Sequence, residues 1–142
     1  MNIFVPALLM FLGIVFCLIG YSRWKGKMHG SYFAYGFFRG ANYMFIPLGI
    51  ASILLGLATL PLFSAQIEVV LLFLSQFVLI FGLIVGWRLF KPEWVKWVEK
   101  HHKDIIPYLQ LEIRDRGWHV DTREELENWI KELRVKYKQY LN

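Results

Sequence analysis

Few side chains in this sequence have a type and spacing suited to chemistry. His101 and His102 are adjacent, but neighbours on a helix do not share a face, and no cysteine or carboxylate completes a zinc spacing around them. No metal site and no cofactor is expected. Cys17 is the single cysteine and lies inside an apolar run, where a thiol packs as a small apolar group. The chain has no P-loop, GxGxxG, HExxH, GxSxG or CxxC spacing and no acidic pair within an apolar run. No catalytic residue is assigned, and a non-enzymatic protein is expected. Gln76 is the one strongly polar side chain deep in an apolar run. Its amide is expected to hydrogen-bond a neighbouring helix; the alternative has Gln76 and Ser75 lining a shared pathway.

The basic excess of the chain belongs to an aromatic segment. Arg23, Trp24, Lys25, Lys27 and Arg39 fall between two apolar runs with no acid among them, interleaved with Tyr32, Phe33, Tyr35, Phe37 and Phe38. Amphipathic rings favour the headgroup zone of a bilayer, and Lys and Arg attract anionic headgroups. This loop, 22–40, is therefore expected along the membrane interface, with a short helix from Tyr32 to Phe38. Nucleic acid is not an expected partner.

These residues must be positioned by long apolar elements. Hydrophobic residues make up 56% of the 142, and they are concentrated in three runs: 3–21, 41–63 and 67–90. A helix rises about 1.5 Å per residue, so about twenty residues cross a hydrocarbon core of about 30 Å. In lipid the backbone must pair with itself, so each run is predicted helical. The first run has no Lys or Arg before it and no A-x-A-like cleavage site after it, which favours a retained span over a signal peptide. Orientation follows from charge: the first loop carries four basic residues, the predicted second loop Ser64-Ala65-Gln66 none, and the segment after the third run is basic. Parity puts the first loop and the C-terminal tail on one side. The expected topology in the cell membrane is N-terminus outside and C-terminus cytoplasmic.

Helices in lipid associate where small residues let backbones approach. Gly49, Ser52 and Gly56 form one stripe on the second run; Ser75, Gly82 and Gly86 form another on the third; Gly13, Cys17 and Gly20 lie on the first. These stripes are expected to pack a three-helix bundle, with dimerisation through Gly82 and Gly86 as the alternative.

The tail, 91–142, is predicted to form helices over 92–102, 104–116 and 123–141. Its eleven basic and ten acidic residues nearly cancel. Thr122 followed by Glu125 matches a capping box. Leu126, Trp129, Ile130, Leu133, Tyr137 and Tyr140 then recur at helical spacing, making an apolar face to be docked on the preceding helix and bilayer or on a partner. The sequence thus reads as an all-α integral membrane protein with three transmembrane helices over 1–90, an interfacial first loop and an amphipathic helical tail. The functional expectation is an accessory or regulatory subunit that binds a larger membrane partner. The alternative is a homo-oligomeric small pore or transporter.

Overall fold

The computed structural model describes residues 3–33 and 37–141, with the backbone alone at 37–40. Among these residues the regular elements are all helical: α1 (Phe4–Lys25), α2 (Phe37–Ala58), α3 (Ala65–Leu89), α4 (Glu93–His101), α5 (Ile106–Arg116) and α6 (Arg123–Lys136). Short 3₁₀ turns occupy Gly30–Phe33, Lys103–Ile105 and Lys138–Tyr140. Phe4–Lys25, Ala41–Ala58 and Ala65–Leu89 are long and apolar enough to cross a membrane.

Several helix ends differ from the sequence reading: α1 runs on to Lys25 rather than 21, and α2 begins at Phe37 rather than 41. The expected helix from Tyr32 to Phe38 is replaced by a 3₁₀ turn over Gly30–Phe33 and the start of α2, with 34–36 outside the described residues. α2 stops at Ala58 rather than 63, because Thr59 turns its hydroxyl back to the carbonyls of Leu55 (3.2 Å) and Gly56 (2.9 Å). Pro61 then offers no N–H to continue the ladder. The connection is 59–64, and Ala65 and Gln66 begin α3. α6 ends at Lys136, and the Tyr108 hydroxyl donates to the Tyr140 carbonyl of the 3₁₀ turn that follows (3.2 Å).

The chain divides into two compact units, 1–22 with 43–90, and 23–42 with 91–142. In the first, α2 is central and uses two faces. Toward α1, a Cβ on Gly13 would lie 2.7 Å from the Gly49 carbonyl oxygen, and one on Gly49 would lie 2.5 Å from Cys17 Sγ. Toward α3, a Cβ on Gly82 would overlap the Pro47 ring, and Gly86 lies against the Tyr43 carbonyl. Pro47 supplies no N–H to that carbonyl four residues back.

The second unit joins the first loop to the tail. Its interior holds Tyr32, Phe33, Val95, Val98, Ile105, Leu109, Val120, Leu126, Trp129, Ile130 and Leu133, all buried. The loop is expected on the bilayer surface from its composition, but Tyr32 and Phe33 are packed edge-on against Trp94, with ring centroids 5.8 and 5.6 Å away. Rings that suit an interface equally suit an aromatic core, and Trp94 and Trp118 supply one. Gly30 brings the loop backbone against Trp118, where a Cβ would come within 3.0 Å of the indole. Asn42 clasps the loop: it accepts from Arg23 (2.5 Å) and Ser31 Oγ (3.3 Å) and donates to the Ser31 carbonyl (3.2 Å). Tyr35 and the side chains of Phe37, Phe38 and Arg39 lie outside the described residues.

Candidate functional site

The small-residue stripes are consumed within the first unit. Gly49 and Gly56 meet α1, and Gly82 and Gly86 meet α2. Ser75 is 2% exposed and its hydroxyl donates to the Ala51 carbonyl (3.1 Å). Ser52 is half-buried. The Gly82/Gly86 face is thus already covered by α2 and offers no free surface for a second copy.

Gln76 lies elsewhere. One residue on from Ser75, it is rotated about 100° around α3, is exposed, and has no side-chain partner among the described residues. Among the described residues a side-chain hydrogen bond between α3 and α2 is made by Ser75, and none is made by Gln76. Around Gln76 the outward surface of α3 is apolar: Val69, Phe73, Ile80, Leu83 and Trp87 are between 43% and 73% exposed. With Gln76 they recur at alternating steps of four and three, a heptad seam along one helix face. The sequence reading missed this seam, although its spacing is visible without coordinates. The outward residues of α1, among them Phe4, Phe11, Ile14 and Leu18, include no comparable amide.

In the second unit the charged groups make local pairs. Glu112, buried on α5, accepts from Lys136 and from the Tyr137 hydroxyl (2.8 Å), with Arg116 3.4 Å away. The Lys136 ammonium holds its carboxyl below the usual value, and Glu112 in turn raises both Lys136 and Tyr137. Tyr137 also stacks on Tyr108, 4.6 Å between centroids. The capping box forms as its sequence implies: Thr122 Oγ1 accepts from the Glu125 N–H, and the Glu125 carboxylate accepts from the N–H groups of Thr122 and Asp121. Leu126, Trp129, Ile130 and Leu133 are turned into the interior of this unit, whereas Tyr140 is exposed.

His101 and His102 do not converge. His101 lies against the Trp97 carbonyl, and His102 lies 3.4 Å from Arg134, which pairs with Asp104. Burial and then the Arg134 charge lower the His102 pKa. No group of three metal-ligating side chains occurs among the described residues. Of the basic loop residues, Lys25 lies over the Trp24 ring (4.3 Å) and Lys27 is exposed. An open cleft of about 410 Å³ is lined by Glu99, Lys103, Ile106 and Pro107.

No protein-family model matches this sequence, and no match was found among curated proteins or solved structures.

Proposed function

We propose that this is a multi-pass membrane protein acting as a non-enzymatic accessory or regulatory subunit, through helix contact at the outward face of α3. The observation that carries this reading is Gln76. α3 is 25 residues long, and Gln76 falls near its midpoint, about 17 Å along the axis from Ala65. In a bilayer the apolar neighbours of Gln76 are well solvated by lipid, but its amide has two donors and an acceptor that lipid tails cannot pair. Another membrane helix supplies what lipid does not.

The N-terminus is outside in this reading, with the first loop and tail cytoplasmic. Arg23, Lys25, Lys27 and Arg39 lie on the inner side, and the connection 59–64 has no charge. Lys25 and Lys27 then face anionic headgroups at that boundary.

Photo-crosslinking in native membranes tests the assignment. A crosslinker at Gln76 or Ile80 is expected to capture a protein, and one at Phe11 on α1 only lipid. Equal labelling from both helices would overturn the reading. Ion flux through liposomes holding only the purified chain would replace it with the pore alternative.

A further inference from the structure

The partner helix can be named from the chemistry of the seam. We infer that the outward face of α3 takes α3 of a second copy, in a parallel two-fold pair centred on Gln76. The inference rests on the reading of this face as a helix contact and specifies its occupant.

Three observations favour a copy over an unrelated helix. First, a primary amide is self-complementary: across a two-fold axis each Gln76 donates through its N–H and accepts through its carbonyl, so neither is left with its amide unpaired. Second, two exposed rows on α3 keep heptad spacing: Val70, Leu74, Phe77, Phe81 and Ile84 are wholly apolar, whereas the row from Val69 through Phe73, Gln76, Ile80 and Leu83 to Trp87 carries a polar side chain at its centre. Residues repeating every 3.5 positions meet their own equivalents when two parallel helices cross at about 20°, and one polar side chain in such a seam fixes register and copy number. Third, two copies inserted with one topology are already parallel, and Gln76, near the midpoint of α3, meets its equivalent at the same depth. Dimerisation through the glycine stripe is not available, because Pro47 and Tyr43 of α2 occupy it.

The experiment uses the full chain in liposomes over a range of protein-to-lipid ratios, with dimerisation followed by energy transfer between labelled copies. Gln76→Leu is expected to raise the dissociation constant about 3- to 20-fold, the range found for hydrogen bonds between membrane helices. It should leave helix content and the thermal unfolding of the diluted monomer unchanged, since Gln76 makes no side-chain hydrogen bond among the described residues; Gln76→Asn should retain part of the effect. In a Cys17→Ala background, single cysteines at Phe73, Gln76, Ile80 and Leu83 should form intermolecular disulfides on oxidation. Cysteines at Val70, Leu74 and Phe81, which are exposed on other sides of α3, should not. A chain that stays monomeric at every ratio, a flat disulfide profile, or Gln76→Leu dimerising like the parent would overturn the inference. If the pure chain is monomeric while the Gln76 crosslinker captures a different protein, the occupant is wrong and the proposed function stands. If it captures nothing, both fall.

Discussion

Around α2, helices approach by leaving side chains out: Gly13 meets Gly49, and Gly82 meets Pro47. The unit of 23–42 and 91–142 is filled by bulk instead, with Trp94 and Trp118 5.6 Å apart and Trp118 and Trp129 5.7 Å apart. The polar groups differ in the same way. Ser75 makes a single short bond to backbone, whereas Glu112 collects Lys136, Tyr137 and Arg116. A lipid surround gives helices no hydrophobic reason to associate, so closeness of backbone is the available source of attraction. Where water is the competitor, removing large apolar area dominates and a buried carboxylate needs several donors. The two units are thus held together in opposite ways.

If the second unit depends on bulk, Trp129→Ala should destabilise it most, by about 3–5 kcal/mol, read as earlier thermal unfolding and protease cleavage of the tail. An unchanged protease pattern would remove Trp129 from the core. In the first unit the damaging change is the reverse, an enlargement. Gly49→Leu drives a side chain into Cys17 and the Gly13 backbone and should cost about 3 kcal/mol, seen as loss of the folded bundle in detergent. A bundle that accepts leucine there would break the contrast.

Acid should act on the second unit through Glu112 and His102. Glu112 has a lowered folded pKa, so its contribution is complete above its ordinary value of 4.5 and lost as pH falls through the folded value. His102 is also lowered, so the neutral ring contributes fully above 6.5, and that contribution disappears as pH falls from there. The tail should therefore unfold more readily on acidification, beginning below 6.5; Glu112→Gln should remove the lower step, and a pH-independent unfolding temperature would contradict both assignments. Thr122→Ala should cost about 1 kcal/mol by deleting the α6 cap, measurable as a small shift in the same transition. The smallest effect is expected for Ser75→Ala, about 0.6 kcal/mol, which a detergent-unfolding titration of the bundle would detect.

The three long helices were legible because each is an apolar run of about twenty residues, and such a length reads directly from the sequence. The capping box was legible because its bonds are local, Thr122 to Glu125. Burial of Tyr32 and Phe33 was not: their partners Trp94 and Trp118 are more than sixty positions away, and the composition of an aromatic core coincides with that of a membrane boundary. Gln76 is the instructive intermediate case. Its place in a long apolar helix follows from the sequence, and so does its direction once Ser75 is put on the Gly82 face. A one-residue step turns a side chain about 100°, so Gln76 had to project away from that face. Glu112 gave no signal, since a carboxylate on a short helix is indistinguishable from a solvated one until Lys136 and Tyr137 are brought to it.

The second unit is assembled from two stretches with α2 and α3 between them, and that ordering sets a timetable. At ribosomal rates the residues from Tyr43 to the tail take of the order of ten seconds to synthesise. For that interval Tyr32 and Phe33 already exist while the indoles and the α6 face that enclose them do not. The newborn chain therefore passes through a stage with two uncovered rings and an unfinished interior, and release from the ribosome before α6 is made would leave it there.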